Sequence, residues 1–310
     1  MVTAIRAEEA TSSALQLLIL GAGAGGGSPQ WNCGCTVCQQ VRDGVTAPRT
    51  QASVAVSVDG TRWSLIDCAP EILTQLQNVP ELAPAQLRHS PIEAVVLTGG
   101  DIDHIAGLLS LREGTPFELL ATGELHQTLS ANSVFDVLRP DVVRRTRVES
   151  GTPFTLPGGL QATTFAVPGK APLYQPNEAE NIGAEGDTTI GVELRHAGKR
   201  LYYIPGCAHL SEALAARIRG ADVVLFDGTL WRDDELIAAG LSHKSGARMG
   251  HISMSGPDGS MAALADLGIK RRIYIHINNS NPALLEQSPE RHMLEEAGWE
   301  VGFDGMRVTL

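Results

Sequence analysis

Short apolar runs punctuate the chain almost from end to end, at residues 17–20, 52–58, 63–66, 94–97, 117–121, 163–167, 190–194, 201–204, 223–226 and 273–276. They are too brief for helices and dense in Val, Ile and Leu, which is how strands buried on both faces read. Helical patterns are fewer: 70–77, 105–111, 124–130, 210–219, 261–267 and 289–297. Helices therefore follow only some of the strands, unlike the strict alternation of a doubly wound parallel sheet. The pattern predicts an α/β chain in which two mixed sheets pack together and are flanked by helices. No repeat period, composition break or low-complexity linker divides its 310 residues, so one domain is expected. With 43% hydrophobic residues and only 5% aromatic, the core has to be mostly aliphatic.

Charge narrows the partners. Lys and Arg total 24 against 35 Asp and Glu, a formal net charge of −11. That field repels polyanions, so a nucleic-acid substrate is not expected. No apolar run reaches the roughly 18 residues of a membrane span, which argues against a membrane partner. The run at 15–20 follows mixed charge rather than a basic segment and reads as a first core strand, not a signal peptide. A cytoplasmic location is the resulting expectation.

The segment Gly21-Ala22-Gly23-Ala24-Gly25-Gly26-Gly27 contains G-x-G-x-x-G directly after a strand. A dinucleotide site needs a helix to open at the last glycine, so that its N-terminus faces the pyrophosphate. Here the chain continues Ser28-Pro29-Gln30-Trp31-Asn32-Cys33, and no acidic residue closes a second strand at the right distance. A glycine loop passing close to another backbone, or to the substrate, is the better reading.

Two groups of residues carry chemistry. Cys33, Cys35 and Cys38 place three thiols in one tight loop, enough for three corners of a tetrahedral metal site; such sulfur-rich sites are usually structural zinc. Cys68 and Cys207 stand alone and read as small buried residues. The second group begins where the run Ala94-Val95-Val96-Leu97 ends in Thr98-Gly99-Gly100-Asp101-Ile102-Asp103-His104. Asp101 and Asp103, read as alternating to one side of an extended turn, are costly side by side unless a cation neutralises them. A helix-capping Asp would explain one of these residues but not all three. Asp227, His251 and His276 lie at what read as similar strand ends.

The D-x-D-H turn, the later strand-end Asp and the final strand-end His resemble the metallo-β-lactamase superfamily, whose usual motif is H-x-H-x-D-H. More closely, Ser28-Pro29-Gln30-Trp31-Asn32-Cys33, Asp101-Ile102-Asp103-His104-Ile105-Ala106-Gly107, Val167-Pro168-Gly169-Lys170, Ile204-Pro205-Gly206-Cys207, Leu225-Phe226-Asp227-Gly228-Thr229 and His276-Ile277-Asn278-Asn279-Ser280-Asn281-Pro282 are similar to the coenzyme PQQ synthesis protein B family. The similarity implies an αββα metallo-β-lactamase fold over residues 15–310, with 1–14 as an N-terminal extension.

The departures matter as much. Gly99 and Asp101 replace the first two histidines of the superfamily motif, Lys170 stands where a P-G-H histidine would, and the bridging Asp falls near Gly206-Cys207. What remains is rich in oxygen donors: Asp101, Asp103, His104, Asp227 and His276. Mixed His and carboxylate ligation with open positions suits non-haem Fe(II) and dioxygen.

The resemblance implies pyrroloquinoline quinone (PQQ) biosynthesis, as an iron-dependent oxidoreductase hydroxylating the tyrosine ring of a small peptide-derived Glu–Tyr substrate. On this reading His104, His276 and one or more of Asp101, Asp103 and Asp227 hold Fe(II), for which zinc or manganese can stand in. Asp103 serves catalysis directly, and His251 acts as an acid or base. Lys170, Lys244 and Arg248, in loops containing glycine, would meet the substrate carboxylates. Related folds anchor the loop beside His276, which points to Asn279, or its neighbour Asn278, as the fourth ligand of the cysteine-bound zinc. Other PQQ biosynthesis proteins and a second copy of the chain are candidate partners. A zinc-dependent hydrolase and a non-catalytic carrier of PQQ or its precursor are the alternatives.

Overall fold

The central strands split their side chains between two cores. In β1 (Gln16–Gly21), Leu17 and Ile19 enter one cluster while Leu18 and Leu20 enter another. In β11 (Val223–Asp227), Val223 and Leu225 share the first cluster, and Val224 and Phe226 turn to a third. A strand's period of two makes this division unavoidable once both faces are covered, and it explains why these strands read as unbroken apolar runs.

The computed structural model describes residues 14–170, 172 and 182–310. The N-terminal extension therefore lies, up to residue 13, outside the described residues. The remaining strands are β2 (Ser53–Ser57), β3 (Trp63–Ile66), β4 (Ile92–Val96), β5 (Phe117–Ala121), β6 (Val143–Arg147), β7 (Pro153–Leu156), β8 (Leu160–Gly169), β9 (Ala184–His196), β10 (Lys199–Ile204), β12 (Arg271–Ile275), β13 (Trp299–Val301) and β14 (Arg307–Thr309). They form two 7-stranded sheets, ordered β14-β1-β2-β3-β4-β5-β6 and β13-β12-β11-β10-β9-β8-β7. Both are mixed: β3 to β6 run parallel in the first and β10 to β13 in the second, with antiparallel pairs completing each.

One cluster fills the space between the sheets, where Val54 and Val56 join Val192, Leu201 and Ile273. The other two lie beneath the helices on the outer faces. Two mixed sheets flanked by helices are thus the architecture, as the apolar runs imply.

The helices are α1 (Thr36–Arg42), α2 (Ile72–Gln77), α3 (Ile102–Ile105), α4 (Gly123–Ser130), α5 (Glu212–Ile218), α6 (Glu235–Ala238), α7 (Ser260–Ala263) and α8 (Pro289–Glu296). Thr122, Ser211 and Ser288 cap α4, α5 and α8 by accepting a backbone N–H three residues on. The helix expected over 105–111 starts earlier, as α3, and tightens into a 3₁₀ turn over Ala106–Leu111. Gly107 explains the tightening: a Cβ there would stand 2.1 Å from the Ala69 carbonyl oxygen, so only glycine lets this turn lie against the 68–69 backbone. The Cys68 N–H donates to the His104 carbonyl and the Gly107 N–H to that of Cys68, fixing the turn that carries His104. Among the described residues no helix is long and apolar enough to cross a membrane.

Candidate metal centre

The chemistry gathers where the parallel strands of both sheets end. Asp67 follows β3, the Thr98–His104 turn follows β4, Asp227 closes β11, and His276 follows β12. His251 comes instead from an irregular loop after a 3₁₀ turn (Ala247–Met249), not from a strand end. The glycine loop closes one side: a Cβ on Gly25 would lie 3.6 Å from Asp103 Oδ2. The backbone past Gly27 stays irregular until α1 begins at Thr36, so no helix opens at the end of that loop.

Asp103, His104 and His276 bring ligand atoms within 4.8 Å of one another. Asp103 Oδ2 lies 3.0 Å from His276 Nε2 and 3.9 Å from His104 Nε2. Ligands about 2.1 Å from one ion stand roughly 3.0 Å apart at a right angle and 3.4 Å at the tetrahedral angle, so the Asp103–His276 spacing suits a single ion, while the Asp103–His104 spacing is wider than either. Asp101 and Asp103 do not alternate along an extended turn. Asp101 caps α3 in extended conformation, and Asp103 lies within the helix.

Asp67 had no place in the sequence reading, yet it orients His104. Fully buried, it accepts the Thr98 N–H (2.8 Å) and hydroxyl (2.6 Å), and its Oδ2 stands 2.9 Å from His104 Nδ1. Burial favours a neutral imidazole, but the charges of Asp67 and Asp103 push His104 up to about 10. Burial likewise opposes ionisation of Asp103, yet His104 and His276 hold its carboxyl well below the usual range.

Asp227, His251 and His276 form a second group of possible ligands. The Thr229 hydroxyl lies among them, 2.7 Å from Asp227 Oδ1, 3.1 Å from His251 Nδ1 and 2.9 Å from His276 Nδ1. Both oxygens of the buried Asp227 are engaged: Oδ1 by the Thr229 N–H and hydroxyl, Oδ2 by the Cys207 N–H and His251 Nδ1 at 2.7 Å. Asp227 is therefore arranged to orient His251. If Thr229 donates to Asp227, it accepts from His276 Nδ1–H, and the Nε2 lone pair of His276 then points at Asp103 (a tautomer assigned from the network). A lone pair and a carboxylate oxygen 3.0 Å apart repel unless a proton or a metal ion joins them.

Asp101 is in neither ligand group; its Oδ2 lies 3.6 Å from Lys170 Nζ. Asp101 and Lys170 line a cavity of about 310 Å³ with Asp103, His104, His251 and His276, and Lys244 is also on its wall. Arg248 is exposed and does not line it.

Cys33, Cys35 and Cys38 also place their sulfurs within 4.8 Å of one another. Asn279 closes over them, its Nδ2 3.2 Å from Cys38 Sγ and 3.8 Å from Cys35 Sγ. Burial pushes the Cys35 thiol up to about 11, with the neighbouring cysteines adding to the shift. Cys33 is lowered despite burial, because the Cys35 backbone and the other thiols hydrogen-bond to it. A loop that stabilises one thiolate and resists the next is one a thiophilic cation would complete.

Comparison with known proteins agrees with this fold. A family model described as "Beta-lactamase superfamily domain" matches residues 62–277. The chain is 51% identical over 299 residues to coenzyme PQQ synthesis protein B of Methylorubrum extorquens (strain AM1), covering 96% of this chain and 100% of that protein. It is 50% identical over 301 residues to the protein of that name from Rhizobium meliloti (strain 1021), covering 96% and 99%. Among solved structures, Zn(2+)-bound PqqB from Methylobacterium extorquens superposes with a TM-score of 0.93 at 51% identity, covering 95% of this chain and 100% of that one. A diphosphatase from the PhnP family, 22% identical with a TM-score of 0.67 over 96% and 97% of the two chains, shares the fold.

Proposed function

Since the chain belongs to the β-lactamase superfamily and, within it, to the coenzyme PQQ synthesis protein B family, we propose that it serves PQQ biosynthesis as an iron-dependent oxygenase. Its substrate would be a Glu–Tyr-derived precursor, hydroxylated on the tyrosine ring. The observation that carries this reading is the cluster of two imidazoles and one carboxylate, His104, His276 and Asp103, beside a cavity. That donor set with open positions suits Fe(II) and dioxygen.

Bound iron would supply the coordination and single-electron chemistry that dioxygen needs to react with an aromatic ring. The ring exchanges one C–H for C–OH, the second oxygen atom leaves as water, and an external small-molecule reductant supplies two electrons with two protons. Asp67 and Thr229 aim the two imidazoles. Lys170, freed from Asp101, would pair with a substrate carboxylate, and Lys244 with another. Backed by Asp227, His251 would take or return the phenolic proton. Cys33, Cys35, Cys38 and Asn279 would hold a zinc ion of structural role.

Anaerobic loading with Fe(II), followed by dioxygen, a reductant and a Glu–Tyr-type substrate, tests the proposal. Stoichiometric oxygen uptake and a product heavier by one oxygen atom are expected. Phosphodiester cleavage with zinc alone would replace it by a hydrolase, and tight binding of PQQ without turnover by a carrier.

A further inference from the structure

The cluster holding His276 and the cysteine loop are joined by a few residues of backbone. His276 has φ 53, a left-handed conformation uncommon outside glycine, which persists where its surroundings impose it. Three backbone hydrogen bonds do so. The Ile277 N–H donates to the Ala22 carbonyl and the Ala24 N–H to that of Ile277, both at 2.9 Å. The Asn278 N–H donates to the Thr229 carbonyl at 3.0 Å, and the Thr229 hydroxyl lies 3.1 Å from the His276 carbonyl.

Asn279, buried and three positions on from His276, meets the sulfurs of Cys38 and Cys35 with its amide, while its carbonyl oxygen lies 3.6 Å from Cys35 Sγ. The cysteine loop is braced in turn. Arg42 donates to the carbonyls of Cys33 (2.6 Å) and Gln30 (2.7 Å), and the Gln30 N–H approaches Cys38 Sγ at 3.4 Å. This loop continues directly from the glycine loop whose Gly25 abuts Asp103. Both a wall of the cavity and one of its imidazoles thus rest on the same cysteine loop.

We infer that metal occupancy of the cysteine loop is coupled to metal binding at Asp103, His104 and His276, with the 276–279 segment as the physical link. The inference rests on the proposed zinc role of the cysteines. A cation drawing the sulfurs and Asn279 together adds a tether at the far end of this bend; without it, only the bonds to Ala22, Ala24 and Thr229 hold the segment, and His276 is less firmly kept beside Asp103. Linkage makes the effect reciprocal, so each site strengthens the other by the same factor.

The test uses the whole chain, stripped of metal. Mn(II) binding at the His–Asp cluster is followed by electron paramagnetic resonance, with and without prior loading of the cysteines by one equivalent of zinc. Zinc should tighten Mn(II) binding by roughly tenfold, the scale on which relief of one strained residue acts. It should also slow hydrogen exchange at the Ile277 and Asn278 amides. Cys38→Ser should abolish the zinc effect. Asn279→Ala, which leaves the thiols in place, should still take up zinc at the loop but lose most of the coupling.

Zinc binding at the cysteines with unchanged Mn(II) affinity and unchanged exchange would overturn the coupling while leaving the zinc role intact. Absence of thiolate-to-Co(II) charge-transfer absorption in the cobalt-loaded wild type would remove the zinc role, and the coupling with it.

Discussion

Asp67→Asn separates charge from shape at the candidate metal centre. Asp67 has φ 61, a left-handed position that asparagine tolerates at least as well, so the substitution adds no backbone strain. Its side chain keeps an oxygen for the Thr98 N–H but loses the negative charge 2.9 Å from His104 Nδ1. Removing such a partner from a metal-ligating histidine typically costs about 10–100-fold in metal affinity.

The pH dependence makes the test sharper. With His104 raised from 6.5 to about 10, the metal-free protein holds a proton there at neutral pH, which an incoming ion must displace. Apparent metal affinity should therefore rise by about tenfold per pH unit between roughly pH 7 and 9, because one proton leaves for each ion bound. In the Asp67→Asn variant the imidazole titrates lower and the slope should flatten within that window. A raised pKa also fixes the sign for folding. The pair's contribution to metal-free stability is fully present below about pH 6.5 and is lost as the pH climbs through about 10. The variant should thus be weaker by about 1–3 kcal/mol at pH 6 and approach the wild type at pH 10. Isothermal titration with Zn(II) at several pH values, paired with urea unfolding of the metal-free chain, measures both. Wild-type affinity with an unchanged slope would refute the assignment of Asp67 as the group that orients His104.

Three further substitutions probe separate parts of the architecture. Thr229→Val leaves Asp227, His251 and His276 without their shared hydroxyl and should cost about 1–3 kcal/mol in thermal unfolding and weaken metal binding, while Thr229→Ser should restore both. Gly107→Ala places a methyl group 2.1 Å from the Ala69 carbonyl oxygen; urea unfolding should show a loss of about 1–3 kcal/mol or more. Lys170→Met keeps the aliphatic stem and removes the cation; KM for a carboxylate-bearing substrate should rise by about 10–100-fold with a smaller change in kcat.

How far the fold was legible depended on where a strand lies in its sheet. The central strands stand out in the sequence because both faces are covered. The strands that the apolar runs overlook are β6, β7, β13 and β14, and these are the four edges of the two sheets. Val143-Arg144-Arg145-Thr146-Arg147 carries the charge that an edge strand needs against unwanted pairing, and that same charge hides it from a search for apolar runs. The helix ends were blurred for a different reason. The turn after β4 is shaped by Gly107 packing on the backbone of Ala69, far earlier in the chain, which no local pattern encodes.

At the candidate site, the residues able to touch a cation were legible and those that aim them were not. Asp103, His104 and His276 announce themselves through glycine- and asparagine-flanked strand ends. Asp67 also closes an apolar run, Trp63-Ser64-Leu65-Ile66, but it has no glycine or asparagine beside it, and a lone carboxylate before a cysteine carries no spacing to another ligand. Thr229 had no signal, since a threonine after a glycine is unremarkable until three side chains converge on its hydroxyl. That convergence also separates the two groups of possible ligands. In one, a lone pair and a carboxylate face each other across a gap suited to an ion; in the other, a hydroxyl already occupies the centre and satisfies its neighbours. A second ion there would have to displace Thr229 and strip the buried Asp227 of two of its donors, so the geometry favours one metal at this end of the cavity.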